Sequence, residues 1–341
     1  MKVLVTGGAG FIGSNFIRLL LSARRDVEIV NLDKLNYAGN PESLADVADD
    51  SRYQFIRGDI TDRNLLRELF QRRFDAVVHF AAETHVDRSI EDAAPFLNTN
   101  IFGTHCLLEV ARNFPKVRFI HISTDEVYGS APAGVAFKEE SPLDPRSPYA
   151  ASKASAEHFV TAYANTYGIS SVILRCTNNF GPFQFPEKLI PLMIANASED
   201  KPLPVYGDGL QERDWLFVED YCGAITLALE KAKPGSIYNV SSGVSQPNLK
   251  IVRTILQLLG KPESLIQYVQ DRPGHDRRYA IDSSKIQREL GWSPLVSFED
   301  GIRKTIQWYR SNSEWLDHAR SGEYRNYYDR HYNRRSETFR S

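Results

Sequence analysis

The 341-residue chain reads as an α/β protein: a doubly wound parallel sheet followed by a smaller C-terminal α/β lobe. Three observations predict this. Strand and helix signals alternate through the first half. The strands there are apolar runs without polar alternation, as expected of strands covered on both faces. After Thr177 the texture changes to prolines and aromatics set between polar residues. With 42% hydrophobic residues the chain can bury one large domain or two closely joined ones.

The elements follow in order. Lys2 to Thr6 is an apolar, β-branched first strand, leading through glycines into a helical pattern that runs to Leu21. Val27 to Leu32 is the second strand, and a further short strand precedes "GDI" at Gly58 to Ile60. Asp62 to Arg72 has helical spacing at Leu65, Leu66, Leu69 and Phe70. Asp75 to Phe80 and Val117 to Ser123 are fully apolar strands, with a long helix over Asn100 to Arg112 between them. A helix from Tyr149 to Tyr167 leads into the strand Ser170 to Cys176. "NNFGPFQFPEKLIP", from Asn178, suits a loop lining a cleft. Ser236 to Ser242 reads as a strand and "NLKIVRTILQLLG" as a helix. Residues 1–177, rejoined by about 216–240, form one expected unit, and 178–215 with 241–341 the other. From Trp315 the tail is rich in Tyr and Arg, as a solvated arm or a segment capping the lobe.

The formal charge of −2 gives no global reason to expect nucleic acid or an anionic membrane surface as partner. No apolar stretch approaches the roughly 18 residues of a membrane span. The start, MKVLVTGGAGFIG, is a poor signal peptide. Cys106, Cys176 and Cys222 are sparse and far apart, which suggests reduced thiols in the cytoplasm. His79, His85 and His121 have no metal spacing and are expected to pack or hydrogen-bond; no metal is expected.

"TGGAGFIG" places Gly7, Gly10 and Gly13 between the first strand and first helix. Glycines there permit a tight turn and close approach of a pyrophosphate to a helix N-terminus. A strand–helix turn can need glycine for its own sake, so context decides. Asp33 ends the second strand, where a carboxylate binds both ribose hydroxyls of adenosine and repels a 2′-phosphate. This favours NAD over NADP, with Lys34 the one dissenting charge. Asp59, in "GDI", can face the adenine. "FAAET", Phe80 to Thr84, ends a strand with small residues, leaving room for a flat cofactor; tight packing of Ala81 and Ala82 is the alternative.

"SPYAASKAS" puts Tyr149 four residues before Lys153, on one helix face. An ammonium near the phenol, and a nearby nicotinamide cation, lower its pKa and make a base for a hydroxyl proton. A plain surface helix pair is the bland alternative. Through these glycines, Asp33, Tyr149 and Lys153 the chain resembles the extended short-chain dehydrogenase/reductase family. The resemblance implies a Rossmann-type sheet with a nucleotide-sugar lobe, Thr124 as third member of a triad, and a homodimer joined through paired helices. It also implies cofactor contacts at Phe11, Ile12, Lys34, Leu35, Asn36, Ile60, Thr84, Thr99 and Asn179.

"HISTDEVYG" sets Asp125 beside Glu126 where a buried strand emerges. Oxidising a sugar hydroxyl needs Tyr149, Lys153 and NAD but no acid pair. The pair asks for a second event. A ketone at C4 of a hexose acidifies the C5 hydrogen, one carboxylate removes it, and the other carboxyl protonates the departing C6 hydroxyl. Mutual repulsion or partial burial can hold one carboxyl protonated while its neighbour ionises. A solvated turn after a strand is the alternative. "STDEVYG", "AAETHVDRSI", "NNFGPFQFPEKLIP", "RDWLFVED" and "DRPGHDRRYAID" together resemble the dTDP-glucose 4,6-dehydratase family, from Met1 to about Trp308. The resemblance implies Asp125 as acid, Glu126 as C5 base, Tyr149 as C4 base, and a tightly bound NAD regenerated in each turnover.

It further implies nucleotide-sugar contacts at Thr84, Thr124, Asn178, Glu187, Lys188, Leu189, Pro204, Val205, Tyr206, Arg213, Asn248, Asp271, Arg272 and His275. Lys and Arg there would neutralise a diphosphate. A local Arg213–Asp214 ion pair and a charged surface loop around His275 are the alternatives. "DRS", Asp87 to Ser89, has no evident chemical role beyond a helix start with Asp87 near the N-cap. The stretch from Ser130 to Pro142 is short beside the loop some family members carry. Rival activities are a UDP-glucose 4,6-dehydratase, a nucleotide-sugar 4-epimerase or decarboxylase, and a non-catalytic NAD-binding protein.

Overall fold

The computed structural model describes residues 1–320 together with Tyr324 and Tyr328. Twelve strands are found among them: β1 (Lys2–Thr6), β2 (Glu28–Asp33), β3 (Tyr53–Arg57), β4 (Ala76–His79), β5 (Arg118–Thr124), β6 (Ser170–Cys176), β7 (Asn178–Phe180), β8 (Leu203–Tyr206), β9 (Glu212–Phe217), β10 (Ile237–Val240), β11 (Ser245–Pro247) and β12 (Ile266–Val269). Seven of them form one sheet in the order β10-β6-β5-β4-β1-β2-β3. Every neighbouring pair in it is parallel. This is the Rossmann-type, doubly wound sheet that the apolar strand runs predict. One face packs on the helices Phe11–Ala23 and Val218–Lys231, the other on Arg63–Phe70, Thr104–Ala111 and Pro148–Tyr167. Strand order reverses between β1 and β4, which opens a crevice at their C-terminal ends.

Local chemistry sets the helix starts. Asp62 accepts from the amides of Asn64 and Leu65 and caps the helix Arg63–Phe70. Ser147 caps Pro148–Tyr167, with proline at the first helical position. The expected helix over Asn100 to Arg112 begins earlier and differently, as a π-helical stretch Leu97–Gly103 that runs into Thr104–Ala111. Asn100 supplies a reason: its side chain is committed to the backbone of Glu83 and to Ser152.

The second lobe carries a three-stranded sheet, β11-β9-β7, and a pair, β12-β8. The stretch expected as a loop from Asn178 therefore opens with a strand, β7, paired in parallel with β9. The helices Leu189–Ser198 and Asn248–Leu259 close a third core, which includes Phe180, Trp215, Phe217 and Trp315. The chain re-enters the large sheet through Val218–Lys231 and β10. Trp315 and Leu316 pack into the small lobe on the helix Ser313–Ala319, so this start of the tail is a cap. The Tyr/Arg-rich end beyond it lies outside the described residues, apart from Arg320, Tyr324 and Tyr328. Among the described residues no helix is long and apolar enough to cross a membrane, and no cluster of side chains suits a metal ion.

Candidate active site

The glycine turn is built by close approach. Gly7 has φ +73°, and a Cβ there would lie 2.6 Å from the Ala81 amide nitrogen at the end of β4. A Cβ on Gly13 would lie 2.5 Å from the Gly7 carbonyl. At the end of β2 Asp33 accepts from the amides of Ala9, at 3.0 Å, and Leu35, at 2.8 Å. Burial raises its pKa against those two bonds. Lys34 turns to Asp59, 3.4 Å away, so its charge is already engaged. Among the residues expected to hold a cofactor, all but Leu35 line one cleft across the strand ends. Leu35, at φ +57°, presents its amide to Asp33 and its side chain is not part of that wall.

The residues fit a dinucleotide. The tight glycines leave bare backbone for a pyrophosphate, and Asp33 keeps carboxylate lone pairs for ribose hydroxyls. Deeper in the cleft, Ser123 Oγ, Thr177 Oγ1 and Asn179 Oδ1 are buried polar atoms without a partner among the described residues. Unmade hydrogen bonds of this kind are costly unless a ligand completes them.

At the inner end of the cleft stand Thr124, Asp125, Glu126, Tyr149 and Lys153. Thr124 ends β5 and caps the short 3-10 turn Asp125–Tyr128, accepting from the Glu126 amide. Lys153 donates to the carbonyl of Ile122 at 2.6 Å, and burial pulls its pKa down to about 8. The Tyr149 phenol differs from expectation. Burial first, and then the charge of Glu126, hold its pKa well above the ordinary value, and Thr124 is the neighbour that opposes them. A cation beside it, such as a nicotinamide held in this cleft would supply, favours the phenolate.

The two acids are not equivalent. Asp125 is 3% exposed, and its Oδ2 has no partner among the described residues. Burial, and then the adjacent Glu126, raise its pKa well above the usual carboxylate range. Burial also raises Glu126, but Arg272, Arg213 and Lys188 all pull it back. Charge on Asp125 is thus the more strongly disfavoured, with Arg213 the one cation opposing burial there, while three cations favour charge on its neighbour, a difference that suits paired acid–base chemistry. This does not suit the solvated-turn alternative.

Glu126 also lines a second cleft, which opens into the small lobe. Asn178, Asn179, Gln184, Glu187 and Lys188 are shared by the two clefts, so the acid pair sits at their junction. All the expected nucleotide-sugar residues line one cleft or the other except Asp271. Its carboxylate instead meets Gln211 Nε2 at 2.8 Å and His275 Nδ1 at 2.6 Å. Burial lowers the His275 pKa to about 4, so the neutral ring donates to Asp271 and keeps Nε2 as an acceptor. His275 has a side chain 6% exposed and is no surface-loop residue. Arg213 is not paired with Asp214. It donates to the carbonyls of Glu212 and Asp276 and lies 4.1 Å over the Tyr279 ring, while Asp214 is held by Ser241, Ser242 and Gly243.

Sequence reading missed part of this wall. His85 proves to be the N-cap residue of the helix Val86–Glu91, with Asp87 in its first turn. Asp87 accepts from the Tyr206 hydroxyl at 3.1 Å and lies 3.8 Å from Arg272, so "DRS" does contribute to the second cleft. Gln211, Trp215 and Tyr279 line it too. His79, bonded to Thr6 and Thr104, is a packing residue as expected.

The family model described as GDP-mannose 4,6 dehydratase matches residues 4–305. A dTDP-glucose 4,6-dehydratase of Neisseria meningitidis serogroup B is 52% identical over 95% of this chain and 97% of its own. The dTDP-glucose 4,6-dehydratase of Salmonella typhimurium is 48% identical over 97% of this chain and 99% of its own. Among solved structures, DesIV of Streptomyces venezuelae, a dTDP-glucose 4,6-dehydratase with NAD and dTDP bound, superposes with a TM-score of 0.91 at 49% identity. The match covers 94% of this chain and 100% of that one.

Proposed function

The chain belongs to the GDP-mannose 4,6 dehydratase family, and within it we propose that the protein is an NAD-dependent dTDP-glucose 4,6-dehydratase, a hydro-lyase forming dTDP-4-keto-6-deoxyglucose. The observation that carries this reading is the unequal acid pair at the junction of the two clefts. A 4-epimerase or a decarboxylase on this scaffold has the Tyr149–Lys153 step but no use for two opposed carboxyls.

Bound across the strand ends, NAD supplies a hydride acceptor for C4 and the donor that later reduces C6. In this reading Tyr149 takes the proton from the C4 hydroxyl, with Thr124 fixing the phenol and Lys153 stabilising the phenolate. Glu126 removes the C5 proton that the new ketone acidifies, and Asp125 gives its proton to the departing C6 hydroxyl, which leaves as water. Arg213, Arg272 and Lys188 neutralise the diphosphate, and Glu187 and Asn178 meet the sugar. The cofactor half is residues 1–177 with 216–240, and the substrate half is the remainder.

The wider setting is part of the same proposal. Leu97, Phe102, Phe159 and Tyr167 are 55%, 44%, 39% and 48% exposed on Leu97–Gly103 and Pro148–Tyr167, an apolar face suited to a homodimer. Replacing Phe102 by Asp should yield monomers on light scattering. All three cysteines are free and buried, which supports a reducing, cytoplasmic setting.

The test is NMR of the protein with dTDP-glucose in D2O and no added NAD. The expected result is a 4-keto-6-deoxy product with deuterium at C5, reporting proton removal and water loss together. Unchanged substrate from folded, cofactor-loaded protein overturns the reading.

A further inference from the structure

Beneath the acid pair lies a buried polar network that the dehydration chemistry leaves unused. Its centre is Arg175 on β6, with a side chain 5% exposed. Arg175 Nε and Nη2 both donate to Glu157 Oε2, at 2.9 and 2.6 Å. Nη1 donates to the Tyr128 hydroxyl and, at 3.1 Å, to the Glu139 carbonyl. The Tyr128 hydroxyl donates to Asn239 Oδ1 at 2.9 Å, and the Asn239 backbone N–H donates to the Glu139 carboxylate at 2.9 Å. Ser123, Arg175 and Asn239 lie side by side on β5, β6 and β10. Phe137 and Glu139, from the short stretch after Ser130, lie against this row, the Phe137 carbonyl accepting from Asn239 Nδ2 at 3.0 Å.

The ends of the network are informative. Glu157 lies one turn beyond Lys153 on the helix Pro148–Tyr167. Tyr128 is the last residue of the 3-10 turn that starts with Asp125 and Glu126. One guanidinium therefore holds both the segment that oxidises C4 and the segment that eliminates water. A buried ion pair is a weak source of stability, since apolar residues of similar volume commonly serve as well. What the planar, bidentate fork supplies is a fixed distance and angle between the elements it joins.

We propose that Arg175 is a positioning residue, holding the Asp125–Glu126 turn in register with the Tyr149–Lys153 helix so that elimination follows C4 oxidation. The proposal rests on the dehydratase reading above. Loosening the link leaves Tyr149 and Lys153 on their own helix and displaces the acids, whose reach to C5–H and the C6 oxygen tolerates little error. A misplacement of about 1 Å can cost about 100-fold.

The test uses Tyr128→Phe and Glu157→Gln in the cofactor-loaded enzyme. Tyr128→Phe removes only the hydroxyl node, because the ring stays stacked on Phe137, 5.3 Å away. After rapid mixing with dTDP-glucose, the reduced-nicotinamide band reports oxidation, and mass spectrometry of quenched samples separates the 4-keto-hexose nucleotide from the 4-keto-6-deoxy product. Tyr128→Phe should oxidise at a rate within about threefold of wild type, eliminate at least about tenfold more slowly, and accumulate the 4-keto-hexose nucleotide; Glu157→Gln also removes a carboxylate that supports the Lys153 ammonium, so its oxidation should slow too, but by less than its elimination. KM should change little. Loss of both steps in proportion, or wild-type partitioning in Tyr128→Phe, overturns the proposal. If wild type itself forms no 4-keto-6-deoxy product, the dehydratase reading falls and the proposal with it; if wild type does and the variants partition alike, only the proposal falls.

Discussion

Under the proposed roles, replacing Glu126 by Gln separates the two halves of the reaction. The substitution keeps the shape and removes the carboxylate assigned as the C5 base. Burial raises the Glu126 pKa in the folded protein, so its ionised form costs stability: the benefit of the protonated form is complete below the unfolded pKa and lost as pH rises through the folded one. At neutral pH the neutral amide therefore leaves thermal stability equal or slightly higher. Arg272, Arg213 and Lys188 lose the carboxylate they face, so binding of the anionic substrate tightens and KM falls. Losing a positioned general base costs about 100- to 10,000-fold in kcat, or about 3–5 kcal/mol of transition-state stabilisation. Tyr149 and Lys153 remain, and Tyr149 loses the Glu126 charge that raises its pKa, so C4 oxidation proceeds and then stalls. The assay is rapid mixing with dTDP-glucose, following the reduced-nicotinamide band, alongside steady-state product by NMR. The reasoning is refuted by a folded, substrate-binding variant that builds no such band, or by one that keeps turnover within about tenfold of wild type.

Asp125→Asn should keep its fold, because burial already disfavours charge on the carboxyl it replaces, and lose about 100- to 10,000-fold in kcat, yet still exchange the C5 hydrogen of the oxidised sugar with D2O; loss of that exchange would move the base away from Glu126. Glu187 has its pKa pushed up to about 7 by burial, so the stability it contributes when protonated is present below about pH 4.5 and is lost as pH rises through about 7. Glu187→Gln should therefore melt higher than wild type at pH 8.5 and by a smaller margin at pH 5, on the order of a few degrees by calorimetry; a constant margin would place the charge elsewhere. Gly13→Ala puts a methyl 2.5 Å from the Gly7 carbonyl and 2.7 Å from Gly8 Cα, so purified protein should carry far less NAD with an unchanged circular dichroism spectrum, and undiminished cofactor would count against the cradle.

What the sequence discloses here follows from range. Gly7, Gly10 and Gly13, the Tyr149–Lys153 pair and the adjacent acids are each local patterns whose spacing already implies their geometry. Apolar strand runs disclose the parallel sheet for the same reason. The misreadings arise where the partner is distant. β7 is three residues beside glycine and proline, and becomes a strand only because β9 supplies hydrogen-bond partners. The π-helical start at Leu97 accompanies side-chain bonds from Asn100 to Glu83 and Ser152, which no helical periodicity records. Asp87 is an ordinary helix-start acid until Tyr206 and Arg272 arrive from the other lobe.

The same logic explains why the unequal acids cannot be assigned from sequence without a resemblance. Asp125 and Glu126 are neighbours of nearly equal intrinsic acidity. The difference between them comes from the small lobe, where Arg213, Arg272 and Lys188 on separate segments all favour charge on Glu126, while Arg213 alone of the three is among the main influences on Asp125, whose Oδ2 has no partner among the described residues. In the proposed mechanism, the meeting of the small lobe with the sheet is therefore what distinguishes the acid from the base. Tyr149 and Lys153 need no such convergence to face each other, since both ride on a single helix of the large sheet.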